Sequence, residues 1–500
     1  MKEFYATRLS YRRALSGMFW LGLLGLLGLP PAALAQRRPA KGSAAKTGIS
    51  AAPAISPRAA ARADSLALRR LYDEALLRGQ SYENLRYLCQ TIGPRLSGSP
   101  QAALAVAWAK LTMEKANCFD RVYLQPCQVP HWVRGAKEKA TLLGKGRKLP
   151  LAVCALGGSV PTPNAKPLRA AVVEVRSLTE LAALPEAAIR GKFVFFNRPF
   201  DDALIEPGQA YGRAGDQRRA GPAEAGRRGA VGALVRSLTS AHDDLPHTGA
   251  TNYGPDAPRV PAAALSTLAA DALSQALSTD PGLEVELSMS CQTLPDEPSF
   301  NVIGEVTGSK FPKEIITVGG HLDSWDLAQG AHDDGTGVVQ SLEAVRLLRA
   351  AGLRPERTVR AVFFMNEENG TRGAQMYAEQ AKLNQETHLA AIESDGGGFT
   401  PRGFTVETTP ARRTKVAAWK PLLAPYHADG LVEGHGGTDI EPLTAAVRPL
   451  ALFGYDGDSQ RYFDLHHTAA DTFEQVHRRE LELGGAAMAS LLYLLSKYGL

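Results

Sequence analysis

The sequence predicts an α/β protein: a mainly parallel mixed sheet flanked by helices, with a β-rich domain inserted into it. Three observations predict this. Residues 315–454 alternate short apolar runs with stretches of helical periodicity, the pattern of repeated strand–helix–strand units. Three motifs rich in His, Asp and Glu fall at the ends of predicted strands, the edge where open α/β sheets place their sites. Residues 156–288 have a different texture, with short β-type runs set among prolines.

Taken in order, Arg8, Arg12 and Arg13 precede an apolar run over 14–29, Pro30 and Pro31 break it, and Ala33 and Ala35 put small residues at cleavage positions. This is the pattern of a signal peptide over residues 1–35. The mature chain is expected to start near Gln36, exported to the periplasm or the medium, with no membrane attachment after cleavage. Residues 36–62 are rich in Ala, Pro, Ser, Lys and Arg without periodicity and read as a disordered linker. Residues 63–155 are expected to supply helices and the first strands of the sheet, and 289–500 to complete it. Within the insertion, residues 170–175, 191–197 and 229–235 read as strands, with Pro161, Pro163, Pro207 and Pro222 among them. Residues 315–320 then form a buried-type strand that ends at His321. Val338, Leu342, Val345 and Leu348 recur at helical spacing. Residues 358–365 are the next strand, ending at Asn366, Glu367 and Glu368. A helix through 373–381 follows, then a third strand over 389–392 ending at Asp395 and a fourth over 449–454.

At 500 residues the chain exceeds what one hydrophobic core usually serves, so two domains are expected. The net charge of +5 is misleading: residues 1–62 hold ten Lys or Arg against one Glu, which leaves the remainder at −4. That excludes an electrostatic argument for nucleic acid binding. Five cysteines are an odd number, and none is spaced like a zinc knuckle. Cys118 and Cys127 are the one close pair, and therefore the candidates for a disulfide.

His321, Asp333, Glu368, Asp395 and His467 carry the chemistry. They stand in His-Leu-Asp at 321–323, Ala-His-Asp-Asp-Gly at 331–335, Asn-Glu-Glu-Asn at 366–369, Glu-Ser-Asp-Gly at 393–396 and His-His-Thr-Ala-Ala-Asp-Thr at 466–472. Two imidazoles and three carboxylates suit two divalent ions that share a bridging carboxylate. Asp333 is the expected bridge, because Gly330 and Gly335 flank it and allow a tight loop. Asp323, two residues past His321, is placed to hold that ring's second nitrogen. Glu367 and Glu368 divide into a general base and a ligand, an assignment the residues alone leave open. A water held by two metals beside a free carboxylate is the equipment of a hydrolase. Singly, each motif is more often structural; together, in this order and at strand ends, they are not. His332, His466 and Asp464 read as neighbours of the ligands or pocket wall. His242 and His247, without a third partner, read as loop residues.

These motifs resemble peptidase family M28, the co-catalytic zinc peptidases. The resemblance rests on the stretch 319–337, on 364–373, on Glu393-Ser-Asp-Gly-Gly, on His467-Thr-Ala-Ala-Asp-Thr and on Ile92-Gly-Pro-Arg-Leu-Ser-Gly-Ser, and it covers roughly residues 65–495. Residues 229–237 resemble part of a protease-associated domain, which makes 156–288 the inserted domain and 63–155 with 289–500 the zinc peptidase domain. The resemblance implies two Zn²⁺ per chain, one on His321, Asp395 and Asp333 and the other on Glu368, His467 and Asp333. It further implies Glu367 as general base, Asp323 as the group orienting His321, a cis peptide at Asp333–Asp334, small peptide substrates and a homodimer. It favours a dipeptidase or carboxypeptidase over an aminopeptidase. A non-catalytic binding protein on this fold would lack some ligands or the base, and a glutaminyl cyclase-like acyltransferase would use a single zinc. The long linker and His435, a candidate extra pocket group, depart from the family pattern.

Overall fold

A computed structural model describes residues 57–144, 146–447 and 450–500. The expected signal peptide, and the expected linker up to residue 56, lie outside the described residues; residues 57–62, expected as disordered linker, instead open the helix Pro57–Arg78. The strands are β1 (Arg121–Val133), β2 (Lys139–Gly144), β3 (Arg147–Leu151), β4 (Val153–Ala155), β5 (Leu168–Val175) and β6 (Phe193–Phe196). They continue as β7 (Gly232–Arg236), β8 (Ala262–Leu265), β9 (Glu284–Ser288), β10 (Gln292–Val306) and β11 (Phe311–His321). The last are β12 (Arg357–Phe364), β13 (Thr387–Glu393), β14 (Pro401–Glu407), β15 (Gly430–Glu433) and β16 (Ala451–Gly457).

The first sheet has the order β1-β10-β12-β11-β13-β16-β14-β15. Its centre, β12-β11-β13-β16, is parallel; β1 with β10, β10 with β12 and β16 with β14 are antiparallel pairs, and β14 and β15 at the far edge are parallel again. Central parallel strands are covered on both faces, which explains why β12 is buried along its whole length and why β11 is buried from Ile315 to His321. The helix Thr336–Ala350 lies on one face and packs against the C-terminal helix Arg478–Tyr498. Their Val338, Leu342, Val345, Leu491 and Leu495 share a core with Ile316, Val318 and Phe363. On the other face, Tyr377 and Ala381 of the helix Arg372–Leu383 pack against Val362 and Phe364. Register brings the site together: His321 pairs with Phe364, and Gly319 with Glu393. The carboxyl ends of β11, β12 and β13 therefore lie side by side at one edge.

The second sheet, β3-β2-β9-β5-β6-β7-β8-β4, starts earlier in the chain than expected. Residues 139–155 belong to it, although the sequence places them with the first sheet. β2 pairs antiparallel with β9, Ala140 opposite Leu287, a long-range pairing that short alternating runs do not reveal. The region is also less purely β than expected, with helices Pro207–Arg219, Gly221–Arg227 and Thr267–Thr279 among its strands. Pro207 and Pro222 open the first two of these, where a missing N–H costs nothing.

The Cys118–Cys127 disulfide does not form; all five cysteines are buried free thiols. Cys127 lies six residues into the extended β1, about 20 Å along the strand from its start beside Cys118, far beyond disulfide reach. Among the described residues no helix is long and apolar enough to cross a membrane.

Candidate metal centre

The five candidate ligands converge where these strands end. His321 closes β11. Its Nδ1 donates to the backbone carbonyl of Asp323 at 3.0 Å, which leaves the Nε2 lone pair facing Asp333 Oδ1 at 3.1 Å and Asp395 Oδ1 at 3.5 Å. His467 mirrors it: Nδ1 donates to the carbonyl of Thr248 at 3.3 Å, while Nε2 faces Asp333 Oδ2 and Glu368 Oε2, both at 3.2 Å. The two oxygens of Asp333 thus point to different imidazoles, as a bridge requires. Bare lone pairs this close repel unless a cation lies between them. Two ligands of one tetrahedral ion with bonds of about 2.0–2.1 Å stand about 3.3 Å apart, which these separations match. Asp333 Oδ2 is moreover buried with no hydrogen-bond partner among the described residues. The donor set fits two divalent ions.

Two other nearby groups could compete for the ligand roles. His321, Asp334 and Asp395 also lie close together, as do Asp333, His466 and His467. Asp334 is engaged elsewhere, its carboxylate accepting from the N–H groups of His321 at 3.0 Å and Gly337 at 2.9 Å. His466 stacks on His467 with ring centres 3.5 Å apart, and its Nε2 is 3.6 Å from Asp333, farther than that of His467. The Asp333–Asp334 peptide is cis.

Asp323 acts differently from expectation. Its carboxylate is 4.0 Å from His321 Nδ1, too far for a hydrogen bond, and accepts instead from Asn366 N at 2.6 Å and Glu367 N at 3.1 Å. The expected hold on His321 comes from the Asp323 backbone carbonyl. The carboxylate anchors the turn after β12. In that turn Asn366 adopts φ 77°, a left-handed conformation Asn tolerates. The turn lets Glu367 and Glu368 both reach the cleft, where strand alternation would send them to opposite faces. Glu368 Oε1 accepts from Trp325 N at 3.0 Å. The Glu367 carboxylate takes no hydrogen bond from the described residues and lines the cleft.

Electrostatics mark the same cluster. Desolvation, reinforced by Asp395, Asp333 and Asp323, pushes Glu367 up to about 8. Burial and the charge of Asp333 hold Glu368 well above the usual carboxylate range. Burial opposes the charge on His321, but hydrogen bonds to Asp333 and Asp395 prevail and raise it well above the ordinary imidazole value. So many acids in one buried place are satisfied only by cations, and bound metal would displace these protons.

Several residues that shape the site were not expected from the sequence. Asp471 accepts from His332 N at 2.7 Å and Asp333 N at 3.1 Å, fixing the bridge's backbone. Arg95, fully buried, donates to the carbonyls of Leu322, Gln329 and Gly330 and clamps the loop after His321. Both stand inside the motifs quoted above, which was their only signal. Thr248 acts through its carbonyl and leaves no signal at all. Among the neighbours, His332 stacks on Phe399 with ring centres 4.3 Å apart, and Asp464 accepts from Ser240 at 3.3 Å. His247 is buried and bonded through Nδ1 to the His466 carbonyl at 2.8 Å, and His242 pairs with Asp271. His435 does not line the cleft; it faces Glu441 at 3.6 Å.

The cleft over these residues has a volume of about 330 Å³ and is closed on its far side by Tyr211, Arg218, Arg219 and Ala250 from the second-sheet region. A larger cavity of about 570 Å³ lies against β5, lined by Glu174, Arg176 and Lys192, and contains none of the five ligands.

Comparison with known proteins agrees with this geometry. The profile of peptidase family M28 matches residues 301–492. Carboxypeptidase Q of Xenopus laevis is 38% identical over 394 residues, covering 79% of this chain and 81% of that protein. The crystal structure of a peptidase M28 precursor from Shewanella amazonensis SB2B superposes with a TM-score of 0.82 at 32% identity, covering 87% of this chain and 97% of the other. An aminopeptidase from Aneurinibacillus sp. strain AM-1 has a TM-score of 0.59 at 21% identity, covering 87% and 96%, a likeness of fold alone. The chain belongs to peptidase family M28, as a metallopeptidase.

Proposed function

We propose that this chain is an exported di-zinc exopeptidase that hydrolyses dipeptides or short peptides, as a dipeptidase or carboxypeptidase. One observation carries the reading: the Asp333 carboxylate spans His321 and His467 at 3.1 and 3.2 Å, with Asp395 and Glu368 completing the two halves. His321, Asp333 and Asp395 would hold one zinc ion, and Glu368, His467 and Asp333 the other. When bound, zinc supplies Lewis acidity toward the scissile carbonyl and the attacking water. Glu367, free in the cleft, takes the proton of that water and returns it to the leaving amine. Asp323 keeps Glu367 in place through its backbone N–H. A cleft of about 330 Å³ is at the small end for ligand pockets and suits a short peptide.

The relatives named carboxypeptidase Q support the choice of exopeptidase class. Export rests on the basic, apolar and small-residue pattern of residues 1–35. Homodimerisation, and a protease-associated role for the inserted region, rest on family resemblance. The test is a panel of free dipeptides, N-blocked dipeptides and aminoacyl amides with purified, zinc-loaded protein. Turnover of free or N-blocked dipeptides is expected. Preferential cleavage of aminoacyl amides would make the chain an aminopeptidase, and inertness toward every peptide would make it a binding protein.

A further inference from the structure

Opposite the carboxylates, the cleft wall carries two consecutive cations, Arg218 and Arg219, at the end of the helix Pro207–Arg219. Among the described residues no other Lys or Arg lines the cleft. Arg218 is only 5% exposed. It donates to the Thr248 carbonyl at 3.2 Å and to the Tyr211 hydroxyl, both neutral, and its Nε has no partner. None of the described carboxylates forms an ion pair with it. A buried guanidinium without a counter-charge is costly, and an anionic ligand would remove that cost. Arg219 is exposed, and its side chain makes no hydrogen bond or ion pair among the described residues. Its guanidinium lies over Gly215, one turn back, where even a Cβ would stand 2.7 Å from Nη2.

The pair is held at a fixed distance from the ligands. The Arg219 carbonyl accepts from Asn252 N at 2.9 Å and Thr251 Oγ1 at 3.4 Å. The same loop contains Thr248, whose N–H donates to the His467 carbonyl at 3.0 Å and whose own carbonyl receives His467 Nδ1 at 3.3 Å. Gly249 leaves the space that Arg218 occupies; a Cβ there would lie 2.4 Å from the guanidinium. One short loop therefore ties the arginines to a metal ligand.

We infer that Arg219, backed by Arg218, receives the free α-carboxylate of the peptide substrate, so that cleavage occurs at the last peptide bond. This rests on the peptidase reading above and names its substrate class: peptides with a free C-terminus. A planar guanidinium takes a carboxylate through two parallel hydrogen bonds, and it has no such affinity for a C-terminal amide.

The experiment compares a neutral dipeptide acid, its C-terminal amide, and an amide with an acidic C-terminal side chain, using zinc-loaded wild type, Arg219→Gln and Arg219→Lys. Arg219 is exposed, so its variants should fold. Wild type should prefer the acid over the amide in kcat/KM by about tenfold or more, the scale of a charge-assisted contact. Arg219→Gln should lose that preference, mainly through a higher KM for the acid, and Arg219→Lys should recover part of it. Equal losses on acid and amide, or no preference in wild type, would overturn the inference while leaving the peptidase reading intact. A preference for the acidic side chain over the free terminus, abolished by Arg219→Gln, would overturn it in favour of side-chain recognition. If wild type cleaves no peptide, the peptidase reading fails and the inference with it.

Discussion

The adjacent residues Glu367 and Glu368 show how far a single position decides chemistry. Glu368 is tied to Trp325 N and faces His467, whereas the Glu367 carboxylate takes no hydrogen bond from the described residues. Glu367→Gln should keep both metals and lose turnover by about 10² or more, the usual worth of a general base. Glu368→Gln should lose or loosen one metal, with partial rescue by excess zinc. Metal content and turnover of the two purified variants check this, and the reverse pattern would exchange the roles. Asp323 offers a second test. Its backbone carbonyl holds His321 and its carboxylate holds the turn that presents Glu367. Asp323→Ala preserves the carbonyl and orphans two N–H groups. It should retain both metals, lose about 1–3 kcal/mol of stability and lose about tenfold or more in turnover. Loss of the metal at His321 in that variant would show that the carboxylate, not the carbonyl, orients the ring.

At the scale of elements, the loop after β11 is where the two sheets meet the metals. Trp325, whose N–H holds Glu368, lies with its indole against Gly157 of the second-sheet region; a Cβ at Gly157 would stand 1.9 Å from the ring. Gly157→Ala should therefore displace Trp325, destabilise the protein by about 1–3 kcal/mol and weaken zinc binding at Glu368. Thermal unfolding with and without a chelator checks this, and a variant as stable and as tightly metallated as wild type would refute the coupling. What could be read from the sequence follows the same division. β11, β12, β13 and β16 announce themselves as apolar runs, and His321, Glu368 and Asp395 stand at or just beyond strand ends. Asp333 and His467 could be found by residue type and motif. The membership of β2, β3 and β4 in the second sheet could not, because pairing such as Ala140 with Leu287 leaves no local trace. Nor could the contribution of Thr248, whose side chain is irrelevant to the bond its carbonyl makes.

Over the whole molecule, the end of β11 supplies His321 and the connections after β11, β12, β13 and β16 supply Asp333, Glu368, Asp395 and His467, while the second-sheet region supplies the opposite wall and a backbone brace for His467. Asp333 is the one residue that both halves of the proposed di-zinc centre share. The most direct test is zinc content per chain after reconstitution, measured on wild type and on Asp333→Ala together with activity. Wild type is expected to saturate at two zinc ions per chain and to be active. Asp333→Ala, which removes an oxygen from both halves at once, is expected to lose affinity at both and to be inactive. Saturation of wild type at one zinc with full activity, or an Asp333→Ala variant that binds two ions as tightly as wild type, would contradict the shared centre.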